Sequence, residues 1–387
     1  MNKQQIYDYI DSQKDSMMLL WENIVRLESP SADLQGVKEV AAHLDTYLTA
    51  MGLNTRKYIF ESAGPSLAAF TPSRSLPPVV LMAHMDTVHK KGSFGDKLFV
   101  RDGEYVYGPG VYDCKGGIVI AFLVLKALAY AGYDKRQIRL ILSGDEEVAH
   151  SLSNQKGCEV YAEEAAGAAA AFNCESGLLN GDIVTQRKGG AVVKVTVHGV
   201  SAHAGNNPRA GASAIVEAAR KILEIEAHSD PDGTSFNCGQ ITGGTGSNVV
   251  ADRCEFMLGI RFLSNEEYEK ALQFLEELLS RSSDPRIHSE FQVQAVFKAM
   301  EPTEKTDALM KVYSDACEEL GLDRPGSVLS GGCSDSAYIS MQKIPVLCAT
   351  GVRGSDNHSP KERAVEASIL ERAKILTTAI LNLPDDF

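Results

Sequence analysis

Hydrophobic and polar residues recur along the chain with two periods, and these periods predict helices and strands in a regular order. Apolar residues at helical spacing predict an amphipathic helix over Gln4–Leu27 and a second helix over Val37–Met51. Short apolar runs and one long apolar segment follow. They predict the strands Val79–Met82, Ile138–Leu142 and Ala168–Asn173 and the helix Gly116–Tyr130. Buried strands separated by helices are typical of a sheet covered on both faces.

The pattern changes at about Thr185. In Ala191–His198, valines occupy alternate positions and polar residues the positions between them, as in a strand with one buried face. Further elements are predicted as the helix Ala212–Ile225, a strand pair leading through Asn248–Leu263, the helix Glu266–Leu279 and the strand Ile287–Phe297. The order β-α-β-β-α-β is the ferredoxin-like arrangement.

From about Thr303 the first pattern returns, with a predicted helix at Asp307–Leu320, a buried strand at Pro345–Thr350 and a closing helix near Ala364–Leu381. The sequence therefore predicts an α/β domain built from residues 1–185 and 299–387, with an α+β domain of residues 186–298 inserted into it. A length of 387 residues agrees with two domains, because single hydrophobic cores stop growing at about 250–300 residues.

Composition narrows the class of protein. The net charge of −13 argues against nucleic acid as a partner, because a nucleic-acid-binding face is basic. Neither a secretion signal nor a segment long enough to span a bilayer is apparent. The eight cysteines are scattered and form no C-x-x-C pair. We therefore expect a cytoplasmic protein with reduced thiols, without a disulfide framework or a zinc–cysteine site.

The segment Leu81–Thr87 carries the strongest chemical signal. It places His84 two residues before Asp86 at the end of an apolar run. Residues i and i+2 of a strand point to the same face, and a metal-binding histidine is usually oriented by a carboxylate. A single histidine after a strand is more often structural, so this pair needs further ligands to indicate a metal site.

Four more segments supply such ligands, each with an alternative explanation. Asp113 lies in the glycine-rich stretch before the long helix, where a helix N-cap is the alternative. Glu146 and Glu147 follow a strand in an acidic run that could also be a solvated loop. Glu175 follows the next strand, and His358 lies in the loop after the last one; either residue alone is more often structural.

Together these positions provide two imidazoles and three carboxylates at successive strand ends. Such a set suits two zinc ions, each bound by one histidine and one terminal carboxylate, with Asp113 shared between them. Of the two adjacent acids after the strand, one can bind metal while the other moves a proton.

At this point the sequence resembles a known family, the di-zinc exopeptidases and amidohydrolases that include aminoacylase, succinyl-diaminopimelate desuccinylase and bacterial glutamate carboxypeptidase. The resemblance extends from about Trp21 to the end and rests on the motifs Ala-His-Met-Asp-Thr, Asp-x-Lys-Gly-Gly, Asp-Glu-Glu and His-Ser. It implies a zinc-exopeptidase-type mixed sheet sandwiched by helices. It also implies that the inserted domain is a lid and dimerisation domain, and hence a homodimer.

Carried over position by position, the resemblance implies two Zn²⁺ per subunit, with Co²⁺ or Mn²⁺ as alternatives. One metal would be bound by His84, Asp113 and Glu175, and the other by Asp113, Glu147 and His358. Glu146 would be the general base, and Asp86 would orient His84. The peptide bond Asp113–Cys114 would be cis, as is typical of the family.

The substrate class also follows from the resemblance. A glutamate at position 175 favours carboxypeptidases and deacylases over aminopeptidases, and the surrounding sequence looks most like glutamate carboxypeptidase. Substrate would be contacted by His203, Asn248, Arg261 and Gly332. The expected reaction is hydrolysis of an amide bond next to a free C-terminal carboxylate, in a small peptide or an N-acyl amino acid.

The chain departs from the family pattern in the stretch Gly-Pro-Gly-Val-Tyr before Asp113 and at Cys333. Tyr112, Cys114 and Cys333 would reshape the specificity pocket, so the exact substrate stays open. An N-acyl-amino-acid deacylase and an aminopeptidase are the alternatives within the family. A non-catalytic metal-binding protein is the alternative from another class. An intact Glu146 argues against it, because a binding module needs no unligated base.

Overall fold

The computed structural model describes residues 2–387, which form two compact units. The first contains the described residues up to Gln186, Pro302–Leu329 and Ser334–Phe387, and the second contains Arg187–Glu301 and Ser330–Cys333. The predicted boundaries at residues 186 and 298 fall close to these, but the return of the short segment 330–333 to the second unit was not predicted. The role of the second unit as a lid and dimerisation domain stays a prediction.

The strands, in chain order, are β1 (Asn54–Tyr58), β2 (Ser66–Phe70), β3 (Leu76–His84), β4 (Val100–Asp102), β5 (Tyr105–Tyr107), β6 (Arg136–Ser143), β7 (Ala170–Asn173), β8 (Ile183–Arg187), β9 (Gly189–His198), β10 (Ser235–Gly243), β11 (Arg253–Phe262), β12 (His288–Phe297), β13 (Ser327–Ser330), β14 (Val346–Leu347), β15 (Gly354–Ser355) and β16 (Arg363–Val365). The α-helices are α1 (Lys3–Ser12), α2 (Lys14–Arg26), α3 (Leu34–Ala50), α4 (Gly116–Tyr130), α5 (Lys156–Glu164), α6 (Ala214–Ala227), α7 (Asn265–Ser280), α8 (Thr306–Glu319), α9 (Ser336–Ser340) and α10 (Ser368–Asn382).

A six-stranded mixed sheet in the order β1-β2-β6-β3-β7-β14 is the centre of the first unit. Strands β6, β3, β7 and β14 are parallel, whereas β1 and β2 join the edge antiparallel. The predicted α/β class with a mixed sheet is confirmed. Because β3, β6 and β7 run in the same direction, their carboxyl ends meet at one edge of the sheet, where open α/β sheets bind ligands.

Helix α4 spans the predicted residues and is buried on nearly all sides, from Gly116 through Leu125. It packs in one continuous core with the apolar faces of α2, α3 and α10 and with the sheet. An all-apolar helix surface requires such burial, since no face of it is compatible with water.

The terminal helices differ from their predictions. The N-terminal helix is divided at Gln13, whose N–H bonds to Ile10 rather than continuing the helical pattern. Ser12 and Ser16 direct their hydroxyls to nearby backbone carbonyls, a competition that weakens helices. The last helix begins at Ser368, because Ala364 is part of β16 and pairs with Val106 of β5.

In the second unit, an antiparallel sheet in the order β10-β11-β9-β12 packs against α6 and α7. This is the predicted ferredoxin-like arrangement, and Val193, Val195 and Val197 of β9 lie in its core. One strand was misplaced, because the predicted pair at Asn248–Leu263 contains β11 alone and its partner β10 lies earlier. The polar, glycine-containing sequence of β10 gives no clear alternation.

Within residues 2–387, no helix is both long and apolar enough to cross a membrane. All eight cysteines are free thiols, as predicted.

We expect Gly117→Ala to destabilise the fold despite the higher helix propensity of alanine. An alanine Cβ would lie 1.8 Å from the carbonyl oxygen of Cys174, so helix and strand would have to separate. The free energy of unfolding should fall by at least about 2 kcal/mol, as in other overpacked cores, measured by chemical denaturation. Gly259→Ala is the control, because its nearest atom would be 3.9 Å away. Equal stability of both variants would contradict this packing.

Candidate metal centre and active site

Three parallel strands deliver acidic and imidazole side chains to one edge of the first unit. His84 is the last residue of β3, and Glu175 follows β7 by two residues. Glu146 and Glu147 lie in a short helical turn three residues after the end of β6. These four residues lie close together because the carboxyl ends of their strands meet at one edge of the sheet. The sequence indicates the strand ends, but it indicates their neighbourhood only indirectly.

Asp113 lies between two imidazoles. It belongs to the turn Val111–Lys115 that leads into α4, and its bond to Cys114 is a cis peptide, as the family resemblance implied. One carboxylate oxygen, Oδ1, is 3.1 Å from Nε2 of His84, and the other, Oδ2, is 3.3 Å from Nε2 of His358. Each oxygen of the carboxylate thus faces a different histidine.

A further carboxylate completes each half of this arrangement. Oε1 of Glu175 is 3.3 Å from Nε2 of His84, and Oε2 of Glu147 is 3.2 Å from Nε2 of His358. The structure therefore brings the five predicted ligands together and divides them into the two predicted sets. Their roles as ligands stay a prediction.

The donor set fits a pair of divalent cations. Donor atoms of a tetrahedral zinc site with bonds of about 2.0–2.1 Å are about 3.3–3.4 Å apart, which agrees with the contacts between the histidines and the carboxylates. Oε1 of Glu147 is buried and has no hydrogen-bond partner among residues 2–387, so its lone pairs are available to a metal. The thiol of buried Cys114 also lies near His84 and Glu175.

The neighbouring charges shift the pKa values of Asp113 and His358 in opposite directions. Burial raises the pKa of Asp113, but hydrogen bonds from His358 and His84 outweigh this and bring it well below its usual range. Hydrogen bonds to Asp113 and Glu147 in turn raise the pKa of His358 to about 10. The imidazoles therefore supply the positive charge that the buried carboxylates require, as cations would.

The pKa values of the two adjacent glutamates, Glu146 and Glu147, are both raised. Burial, followed by the charge of Asp113, raises the pKa of Glu147 to about 8. Burial and the charges of Glu175, Asp335 and Glu147 raise the pKa of Glu146 well above its usual range. A carboxyl group with such affinity for a proton has the property that a general base and acid needs.

Asp86 connects His84 to the turn that carries Glu146 and Glu147. Its Oδ1 is 3.5 Å from Nδ1 of His84, and its two oxygens accept the backbone N–H groups of Glu146 and Glu147 at 3.2 and 3.1 Å. Ser31, which sequence reasoning did not select, donates its hydroxyl to the same carboxylate at 2.7 Å. Asp86 thus fixes an imidazole and the backbone of both glutamates.

Glu362 is a second anchor, and sequence reasoning missed it. Its buried carboxylate accepts the backbone N–H groups of Gly110, Tyr112 and Asp113 at 2.9–3.2 Å and contacts His89. It follows His358 by four residues and so ties the loop of that histidine to the turn of Asp113. An acidic residue only four positions after a predicted ligand was the signal available in the sequence.

Two of the predicted substrate-contacting residues are neighbours in the second unit. The backbone carbonyl of Asn248 accepts the N–H of Ala204, next to His203. Nδ1 of His203 accepts two backbone N–H groups, from Gly205 and Asn206, both at 3.1 Å. Nδ1 is therefore an acceptor, and Nε2 carries the proton of the neutral ring.

The other two predicted substrate-contacting residues, Arg261 and Gly332, are also neighbours in the second unit. Arg261, on β11, donates to Sγ of Cys333 at 3.0 Å, beside Gly332. The side chain of Arg261 is exposed, and no acidic group within residues 2–387 forms an ion pair with it. Gly190 makes room for it, since a Cβ there would lie 2.2 Å from the guanidinium. The structure thus brings these four residues together as two pairs, whose contact with substrate stays a prediction.

Comparison with known proteins agrees with this architecture. Carboxypeptidase G2 from Pseudomonas sp. (strain RS-16) is 27% identical over 371 residues, covering 93% of this chain and 87% of the relative. Aminopeptidase PepT from Bacillus cereus has a similar structure, with a TM-score of 0.77 and 22% identity over 95% of this chain and 98% of that one. Bacillus subtilis YxeP, named a dinuclear metal binding peptidase, has a TM-score of 0.68 and 16% identity over 96% and 98%.

The model of peptidase family M20/M25/M40 matches residues 80–382, a span that contains every predicted ligand. The predicted enzyme class, a metal-dependent peptidase or amidohydrolase, is confirmed by this match and by the relatives. The chain belongs to peptidase family M20/M25/M40.

Proposed function

We propose that the protein hydrolyses an amide bond next to a free C-terminal carboxylate, with a specificity like that of glutamate carboxypeptidase. The observation that carries this proposal is the exposed guanidinium of Arg261, which has no acidic partner among residues 2–387, in a chain that also has a buried carboxyl base, Glu146. Glu175 as the third ligand and the similarity to carboxypeptidase G2 support the same substrate class.

His84, Asp113 and Glu175 would hold one divalent cation, and Asp113, Glu147 and His358 a second. Two imidazoles and three carboxylates suit zinc, and Co²⁺ or Mn²⁺ could take its place. When bound, such a metal pair supplies Lewis-acid activation of water and of the scissile carbonyl.

Glu146 is the group we assign to proton transfer. Within residues 2–387 no hydrogen bond to its carboxylate is found, although its backbone is fixed by Asp86. The carboxylate is therefore free to take a proton from the attacking water and to pass it to the leaving amine. Burial keeps the group away from bulk water, which would otherwise compete for that proton.

His203 and Arg261 are the residues that we assign to substrate binding. Because Nδ1 of His203 is occupied by two backbone N–H groups, its Nε2–H is available to donate to the carbonyl oxygen as negative charge develops. Arg261 would hold the free carboxylate bidentately, assisted by the backbone of Gly332, and Asn248 would contact the substrate beside His203.

We further propose a cytoplasmic homodimer formed through the second unit. Strand β10 is at the edge of its sheet and exposes Ile241, while α6 exposes Val216 and Leu223. An unpaired strand edge with exposed apolar side chains is a ready surface for a second copy of the chain.

A substrate panel separates this function from its alternatives. Peptides and acyl or folyl conjugates that end in glutamate should be hydrolysed in preference to those that end in an amide. Preference for a free N-terminus would indicate an aminopeptidase, and preference for short acyl groups a deacylase. Absence of hydrolysis across the panel with metal present would leave a metal-binding protein.

We expect metal binding to release protons. In the metal-free chain His358 has a pKa of about 10, whereas a metal binds the neutral imidazole. Metal affinity should therefore rise with pH up to about 10. Calorimetry in buffers of different ionisation enthalpy measures the released protons, and His358→Gln should release fewer. Proton-free binding at neutral pH would contradict the assigned ligands.

Glu146→Gln should lower kcat by at least about 100-fold, the usual size of a general-base effect. Both metals should remain bound, because Glu146 is not one of the assigned ligands. Steady-state kinetics with metal analysis tests this. Glu147→Gln is the matched comparison and should lower metal occupancy instead. If Glu146→Gln kept full turnover, another group would be the base.

Arg261→Met should raise KM for substrates with a free carboxylate by roughly 10- to 100-fold, the worth of a hydrogen bond to a charged group. Arg261→Lys should recover part of the loss, since it keeps the charge without the bidentate geometry. The same substrates carrying a C-terminal amide should be affected little. An equal effect on acid and amide would rule out carboxylate recognition by this residue.

A further inference from the structure

A buried cluster of three ionisable side chains lies directly behind the proposed base. Asp145, His150 and Asp335 are each at most 2% exposed. Nδ1 of His150 is 2.8 Å from Oδ1 of Asp145, and Nε2 is 2.6 Å from Oδ1 of Asp335. Since both ring nitrogens face carboxylate oxygens, both donate, and the ring is an imidazolium held between two acids.

The same histidine closes the loop that carries Glu146. The backbone N–H of His150 donates to the carbonyl of Asp145 at 3.0 Å, and the second oxygen of the Asp145 side chain accepts the N–H of Ser153 at 2.9 Å. Ala149 and His150 both have a φ of 54°, so the chain reverses tightly there. The residue before Glu146 is thus held by three hydrogen bonds.

Asp335 connects this loop to the strand that leads to Glu175. It immediately precedes α9, whose first residue, Ser336, accepts a hydrogen bond at 2.9 Å from the side chain of Asn173. Asn173 ends β7 two residues before Glu175. His150 therefore joins the segment of the base to a segment of the assigned metal ligands.

The surroundings keep the cluster dry and leave the ring little freedom. The aromatic rings of Tyr161 and Tyr338 lie 6.3 and 5.7 Å from that of His150, centroid to centroid. A Cβ on Gly157, at the start of α5, would lie only 2.2 Å from Nδ1 of His150 and 2.9 Å from Oδ1 of Asp145. The glycine is therefore required for the ring to reach Asp145.

Glu146 needs such support from its backbone. Its carboxylate must stay mobile to carry a proton, and it accepts no hydrogen bond from residues 2–387. Its position is therefore set by its main chain, which Asp86 holds from one side through the N–H of Glu146. Asp145 holds the adjoining peptide from the other side.

We propose that His150 is a positioning residue for hydrolysis: hydrogen-bonded to Asp145 and Asp335, it fixes the main chain from which Glu146 reaches the reacting atoms. The inference rests on the proposed function, in which Glu146 is the base. His150 is neither an assigned ligand nor an assigned substrate contact, so it acts on turnover through the segment that carries Glu146.

Two variants test this in the full-length, metal-loaded protein. His150→Gln fills the space but can donate to only one carboxylate, and Gly157→Ala keeps every charge while displacing the ring. Each should lower kcat by roughly 10- to 100-fold, the usual effect of removing a group that orients the active residues. KM and bound metal should change less than about two-fold, because neither variant alters the proposed binding groups.

Tyr313→Phe is the control for general loss of stability. It removes another buried hydrogen bond of the first unit, the 2.5 Å contact with Arg372, and should lower Tm without lowering kcat. Amide hydrogen exchange provides a readout that does not depend on activity. The N–H groups of Glu146 and Glu147 should exchange faster in His150→Gln and Gly157→Ala than in the parent chain or in Tyr313→Phe.

Unchanged kcat in both variants would overturn the proposal, as would a loss of turnover explained by lost metal or by raised KM alone. If the parent chain hydrolysed no substrate of the panel, the proposed function would fail, and the exchange experiment would still test whether His150 fixes the main chain of Glu146. Faster exchange at Glu146 would then support it, and unchanged exchange would overturn it.

Discussion

The two oxygens of the Asp113 carboxylate, each facing a different imidazole, are the constraint on which the rest of the site depends. A buried carboxylate is costly unless it is surrounded by positive charge and hydrogen-bond donors. The chain meets this requirement with His84 and His358 and with Asn357, which donates to Oδ2 at 2.9 Å. Glu362 fixes the backbone behind it. The terminal carboxylates on either side are arranged around this shared centre.

Main-chain hydrogen bonds, more than side-chain contacts, hold the acidic groups in place. Asp86 accepts the N–H groups of both glutamates, and Glu362 accepts three from the turn of Asp113. Buried carboxylates thus serve as acceptors that satisfy loop backbone, which would otherwise be left unpaired. Because these bonds are made to the main chain, Oε1 of Glu147 and the carboxylate of Glu146 have no hydrogen-bond partner among residues 2–387 and are available for chemistry.

The residues assigned to chemistry and those assigned to recognition belong to separate units of the fold, each with its own hydrophobic core. The first unit carries the assigned ligands and the base, and the second carries the four residues assigned to substrate. Such a division allows one hydrolytic centre to serve different amide substrates, since recognition can change without disturbing the ligands. Cys333 beside Arg261 and the close approach of Gly190 are features of this chain on the recognition side.

Local sequence determined most of the elements and the identity of the donors. Apolar periodicity identified α4, β6 and the ferredoxin-like unit, and the motifs around His84, Asp113 and Glu146 identified the chemistry. Tertiary structure alone decided which distant groups support them. His150 meets Asp335 across 185 residues, and Glu362 meets Tyr112 across 250. No periodicity encodes such pairs, because they depend on which strand ends and loops converge once the core has packed.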